Sequence, residues 1–234
     1  MELTRRGFIG VGTLATAGSV IGRPIRSSLG SFPSSVDGEK LPYDSEVEYL
    51  ESTGTQYIDT GCAGHWIDTV VTLDMILFSH SENESDFFGA ANFGSATTDF
   101  NYAGGFNSIG FVLQLGLPYI KYGVQDTLRH VHRYDSINKT ASLDGRATSG
   151  SSLVWTRNIN APNFGILQRT SLRHPSHNRL YRATIERGFV LIRDYIPVRI
   201  TNEYGELEGC MYDRVSGELF RNSGSGSFIV GPDV

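Results

Sequence analysis

The sequence predicts an all-β fold, two antiparallel sheets packed face to face with few helices, and three observations carry that prediction. The first is composition: 27 Gly, 13 Phe and 11 Tyr stand against only 3 Met and 19% charged residues, a balance rich in turn-formers and β-formers and poor in helix-formers. The second is patterning, since apolar and polar residues alternate with period two over short stretches and no helical period is sustained. The third is punctuation by Gly, Asp-Gly and Ser-Gly turns between those stretches. At 234 residues the chain is long enough for one large β domain and requires no second.

The chain opens on a segment of another kind. Thr4-Arg5-Arg6-Gly7-Phe8-Ile9 precedes a weakly apolar run of Gly, Ala, Thr and Val over 10–22, followed by Arg23 and Arg26. A basic stretch before an apolar one is the order of a secretory leader. The segment resembles the twin-arginine class, whose pattern is Ser/Thr-Arg-Arg-x-Phe-Leu/Ile-Lys, with Gly10 standing where that class usually has Lys. The resemblance implies a signal segment over 1–26, read through Arg5, Arg6 and Phe8, and an exported protein of the periplasm, cell surface or exterior. Ala15-Thr16-Ala17 has the small-x-small form of a cleavage site but leaves a short apolar region, so cleavage and retention as an anchor both stay open. Residues 27–42, SSLGSFPSSVDGEKLP, are rich in Ser, Gly and Pro and read as a flexible linker. After the leader no apolar run has the length a membrane-spanning helix demands.

Residues 43–234 carry the strand pattern. In YLESTGTQYIDTG, Tyr49 to Gly61, Tyr57 and Asp59 face one way while Gln56, Ile58 and Thr60 face the other. Ser52-Thr53-Gly54-Thr55 reads as a tight polar bend whose hydroxyls bond back to the chain. Leu143-Asp144-Gly145 supplies the Asp-Gly of a two-residue hairpin. FVLIRDYIPV, 189–198, alternates as a strand, and Pro197 is expected at an edge or a strand end because it cannot donate to a ladder. NSGSGSF, 222–228, lacks the Lys-Ser/Thr and following helix of a phosphate loop and reads as a turn.

Leu41 to Gly61 resembles the start of the concanavalin A-like, laminin-G-like jelly-roll domains of secreted bacterial and phage-borne proteins. Four further stretches match that family in order: DFFGAANFGS (86–95), YDSINKTASLDGRA (134–147), NRLYRATIERGFVLIRDYIPVRI (178–200) and GELEGCMYDRVSGELFRNSGSGSFIVGP (205–232). Together they span nearly the whole chain after the linker. The resemblance implies a jelly-roll sandwich over 43–234 whose first and last strands lie side by side. It thereby implies neighbouring strands for Cys62 and Cys210. A disulfide there, in an oxidising compartment, would contribute about 4 kcal/mol; two unbonded core thiols are the alternative.

Function is constrained mostly by exclusion. A net charge of −5 with no sustained Lys/Arg run leaves no nucleic-acid footprint. Laminarinase-type relatives of the fold carry Glu-x-Asp-x-Glu on one strand so that nucleophile and acid/base share a face. Asp44-Ser45-Glu46-Val47-Glu48 has the alternation but not the order and reads as solvated edge charge, as do Glu206 and Glu208. No catalytic residue is assigned. His130-Val131-His132 places two imidazoles on one strand face and His174-Pro175-Ser176-His177 two more on a loop, but nothing in the sequence brings the pairs together, and no metal is assigned. No cofactor is expected; calcium, held by some laminin-G relatives, stays open as the alternative, although no compact Asp/Asn ligand run supports it here. Aromatics remain: of Trp66, Tyr102, Phe106, Tyr119 and Trp155, the two beside Gly, Ser and Asn runs, Tyr102 and Trp155, are those expected to face solvent and stack on a sugar ring. The expectation is an exported, non-catalytic binding or adhesion module recognising glycan. Its alternatives are a structural or protein-interaction module of the cell envelope and, behind that, a glycoside hydrolase, because one fold hosts all three.

Overall fold

The alternation read at 56–60 is the alternation observed: Gln56, Ile58 and Thr60 are buried, while Tyr57 and Asp59 are half-buried. The computed structural model describes residues 41–64, 68–80, 85–92, 100–107, 110–115, 119–124, 126–149, 163–168 and 175–234. Within the compact unit Leu41–Val234 the strands are β1 (Ser45–Glu46), β2 (Leu50–Ser52), β3 (Ile58–Ala63), β4 (Thr69–His80), β5 (Ser85–Asn92), β6 (Phe100–Asn107), β7 (Gly110–Leu115), β8 (Tyr119–Gly123), β9 (Arg129–Asp135), β10 (Thr140–Leu143), β11 (Arg146–Ser149), β12 (Asn163–Ile166), β13 (Ser176–Arg187), β14 (Val190–Thr201), β15 (Leu207–Asp213), β16 (Glu218–Phe220) and β17 (Ile229–Val230). No helix occurs among the described residues.

These strands form the antiparallel two-sheet jelly-roll sandwich expected from the sequence. The large sheet runs β11-β10-β9-β4-β13-β14-β15-β16, with β1 paired to β14 and β2 paired to both β13 and β17; the small sheet runs β3-β12-β5-β6-β7-β8. Inward residues of the long strands, Leu73, Met75 and Leu77 of β4 and Leu180, Ala183 and Ile185 of β13, form one core with Phe87, Phe88, Phe111 and Phe164 of the small sheet. Each large apolar side chain buried there contributes about 1.5–3 kcal/mol. The sheets approach at both margins, β8 over β10 and β11 on one side and β3 over β16 on the other.

The polar bend carries the chain from β2 in the large sheet to β3 in the small one. Ser52 Oγ donates to the Gln56 carbonyl at 2.9 Å, and Gln56 Oε1 accepts the Thr53 N–H at 2.9 Å. The 222–226 turn then laces across it, with Thr55 Oγ1 donating to the Ser225 carbonyl and Ser223 N–H to the Tyr57 carbonyl. Gly224 is needed there because a Cβ would lie 1.9 Å from the Thr55 carbonyl oxygen.

First and last strands do close the large sheet, but through other residues than the cysteines. Leu50 pairs with Val230, Glu51 with Ile229 and Val47 with Asp233. Cys62 lies on β3 of the small sheet and Cys210 on β15 of the large one, and both are free thiols. Period-two parity explains why no bridge forms. Cys62 joins Ile58 in the inter-sheet core, whereas Cys210 shares the opposite face of its strand from core residue Met211 and packs with Val198, Ile200 and Tyr43. The expected neighbouring strands and the disulfide are therefore corrected to two buried thiols; burial raises both, Cys210 to about 12.

Pro197 also departs from expectation, since it sits inside β14 opposite Met211. Val47 N–H donates to the Pro197 carbonyl, so the missing N–H points to the same side. On that side β13 has ended its pairing at Tyr195 and β1 begins its own at Val198. The proline occupies the change of partner, where no strand requires its donor.

Candidate functional site

Alternation along β9 turns His130, His132 and Tyr134 toward the small sheet and leaves Val131 exposed on the other face. His132 is buried against Phe87 and Phe111, and Tyr134 stacks on Phe88 with ring centroids 5.7 Å apart. Tyr122 of β8 reaches both: its hydroxyl lies 2.9 Å from His132 Nδ1 and 2.5 Å from the Tyr134 hydroxyl. Burial pushes the His132 imidazole down to about 3, so its ring is neutral and joins the Tyr122 and Tyr134 hydroxyls in one hydrogen-bonded chain. Burial also raises the Tyr122 phenol. This chain of hydrogen bonds fixes the wall between the sheets.

His130 stands at the mouth of that wall. Its Nδ1 lies 2.7 Å from Asp144 Oδ2 and its Nε2 2.8 Å from Asp126 Oδ1. Asp144 and Gly145 both have positive φ, 49° and 81°, the two-residue hairpin geometry expected from Asp-Gly. The turn brings the Asp144 carboxylate back over β9, where Oδ1 also accepts the Val131 N–H. Asp126 closes the other side and accepts the Leu128 N–H at 2.8 Å. Burial works against the charge on His130, but hydrogen bonds to Asp144 and Asp126 outweigh it and raise its pKa above the ordinary imidazole value. The backbone bond from Val131 and the bond from His130 lower Asp144; for Asp126, partial burial is outweighed by Leu128 and His130.

Between β8 and the β10–β11 hairpin this arrangement leaves a cleft of about 520 Å³ lined by Tyr122, Gly123, Val124, His130, Leu143, Asp144 and Arg146. Apolar Leu143 and Val124 lie beside carboxylate oxygens and a guanidinium. Arg146 is paired through its backbone with Leu143, but its side chain is exposed and has no hydrogen bond or ion pair among the described residues, which leaves the guanidinium open to a ligand.

Among the described residues, the cleft lining includes none of the other sequence-selected positions. Tyr102 is on β6, paired with Leu115, and its side chain lies outside the described residues, as do those of Phe106 and Tyr119. Trp66, Trp155, His174 and the export residues Arg5, Arg6 and Phe8 lie outside them altogether. His177 points to the far face of the large sheet and contacts Glu51 at 2.5 Å, so it does not meet His130 and His132. Among the described residues, no group of three or more His, Cys, Asp and Glu side chains is arranged to hold a metal ion. Asp44 accepts a bond from Thr201 and Glu46 one from Tyr43, both at the exposed margin.

That far face carries aromatics which sequence reasoning passed over. Tyr181 has the Arg129 guanidinium 3.7 Å above its ring, and Arg179 covers Tyr49 at 4.2 Å and Phe78 at 4.9 Å. Arg129 and Arg179 are in turn held by Asp74 and Glu51. Cation–π stacking thus occupies ring faces that a sugar would need. The β13–β14 turn presents a different surface: Phe189 and Val190 are 66% and 63% exposed, and Phe189 has a φ of 67°, a conformation unfavourable for a bulky residue. No family model matches this chain, and no curated protein or solved structure matches it.

Proposed function

We propose that the chain is an exported, non-catalytic binding module of the concanavalin A-like, laminin-G-like kind that holds glycan in the cleft beside β8. The observation that carries this reading is the mixed lining of the cleft. A sugar's C–H face suits Leu143 and Val124, while its hydroxyls suit the oriented carboxylate of Asp144 and the fork of Arg146, unpartnered among the described residues. Hydrolysis is disfavoured, because a glycosidase needs one carboxyl raised enough to act as an acid and both Asp126 and Asp144 are lowered. Export rests on the Arg5-Arg6-x-Phe8 pattern.

A glycan array probed with the purified protein tests the reading. Binding of at least one glycan is expected, weakened about tenfold or more by Asp144→Asn or Arg146→Ala; the unfolding midpoint is expected to stay unchanged in Arg146→Ala, whose side chain is exposed, and to fall modestly in Asp144→Asn, which loses its charge beside His130. A silent array, or hits indifferent to both substitutions, removes the cleft as a glycan site. Export has its own test: replacing Arg5 and Arg6 together by Lys is expected to retain the protein in the cytoplasm, and fractionation showing undiminished export rejects the twin-arginine assignment.

A second reading, a protein-interaction module, draws on Phe189 and Val190. Holding an exposed Phe in a left-handed turn gives the fold nothing in return, whereas a partner's apolar pocket would use it. A silent array together with a complex lost on Phe189→Asn favours this alternative.

A further inference from the structure

Both ring nitrogens of His130 lie within hydrogen-bond distance of a carboxylate oxygen, Asp144 on one side and Asp126 on the other. A neutral imidazole has one N–H and cannot donate to both; only the imidazolium satisfies the two contacts together. We propose that His130 is a pH-dependent clasp of the cleft, which as an imidazolium ties Asp126 to Asp144 and on losing its proton releases one of them and loosens its hold on ligand. The inference rests on the cleft being the glycan site.

The surroundings favour this behaviour. Asp126 faces His130 from the segment before β9, Asp144 from the β10–β11 turn, Arg146 from β11, Tyr122 from β8 and His132 from the same strand. Its register partner on β4 is the uncharged Met75, and neighbouring Asp74 is engaged by Arg129. His132, whose ring centroid is 6.2 Å away, is buried, hydrogen-bonded to the Tyr122 hydroxyl and neutral, so it carries no competing charge. Asp144 belongs both to the clasp and to the cleft lining. Because the carboxylates raise His130, the clasp is fully formed below the ordinary imidazole value and is lost as pH rises through the raised one. Because Asp126 and Asp144 are lowered, it forms above the ordinary carboxylate value and is lost only as pH falls through their depressed ones. The working window runs from about pH 4 to somewhat above pH 6.5.

Two measurements test the clasp, and only one needs a ligand. Nitrogen-15 shifts of the His130 ring, followed from about pH 5 to about pH 9, are expected to read two protonated nitrogens in acid and a midpoint above that of free histidine. Exchange of the Leu128 or Val131 amide, each bonded to one clasp carboxylate, is expected to accelerate through that midpoint beyond its intrinsic base dependence. His130→Gln, which cannot be charged, is expected to abolish the step. With a glycan returned by the array, affinity is expected to fall about tenfold across the same interval in the native protein and to be weaker but flat in His130→Gln. A midpoint at or below that of free histidine, or an exchange step unchanged in His130→Gln, overturns the clasp. So does an affinity that ignores the midpoint. A silent array overturns only the glycan reading, and the nitrogen shifts and amide exchange then decide the clasp alone.

Discussion

Asp213→Ala is expected to lower stability by about 3–5 kcal/mol, the largest effect expected of a single polar truncation in this sandwich. The Asp213 side chain is fully buried at the end of β15. One carboxylate oxygen accepts the Asp194 N–H at 2.8 Å and the Val215 N–H at 3.1 Å; the other accepts the Ser216 N–H and, at 2.7 Å, its hydroxyl. Arg193 approaches to 3.7 Å. Truncation therefore strands several donors at once, including a backbone group of β14. The neighbouring Asp194 carboxylate, gripped by Arg182 and Arg214, cannot take over, because its own backbone N–H is among those stranded. Asp213→Asn keeps an acceptor and is expected to lose roughly half as much. Urea midpoints at unchanged m-value give the comparison, and a loss below about 1 kcal/mol for the alanine variant would show that the network contributes little.

Gly104→Ala is the second substitution with a large expected effect. A Cβ on this β6 residue would lie 2.4 Å from Cζ of Tyr134 and 2.6 Å from its hydroxyl oxygen. The ring has nowhere to move, being stacked on Phe88 and hydrogen-bonded to Tyr122. Overpacking at such a site costs about 3 kcal/mol. The clash also identifies its own rescue: in a Tyr134→Leu background the added penalty of Gly104→Ala is expected to fall by at least about 1 kcal/mol. A penalty independent of residue 134 would locate the strain elsewhere.

The fold is legible in the sequence where one strand or one turn contains the whole message. Burial alternates from Gln56 to Thr60 because the strand period fixes it, and Asp144-Gly145 turns because both residues tolerate positive φ. Legibility ends where the message is held between strands. Cys62 and Cys210 stay apart because the fold achieves its closure with Leu50 and Val230 instead. Parity along β15 puts Cys210 and Met211 on opposite faces, but does not say which one meets the core. Pro197 reads as an edge residue because no sequence shows that a central strand can change partners at that point. The clasp is divided in the sequence between a histidine pair and a hairpin turn. Only the register of β9 with β10, Leu143 opposite His132, brings Asp144 to His130. On the far face, the interleaved arginines and aromatics are visible as residue types, but the stacking that occupies them depends on the pairing of β13 with β4 and β2.

The pairing of Leu50 with Val230 also sets an order of events. It joins strands separated by almost the entire sandwich, so, with the flanking Val47–Asp233 bridge, it carries a large loop-closure entropy and gains from being made late. While the chain emerges from the ribosome, the hairpins β9–β10 and β13–β14 can zip as soon as they are complete, whereas β2 waits for β13 to cover one edge and for β17 to cover the other. A nascent chain, or one cut short before Ile229, is thus left with the β17-facing edge of β2 unpaired at Leu50 and Glu51, the kind of edge on which another chain can add.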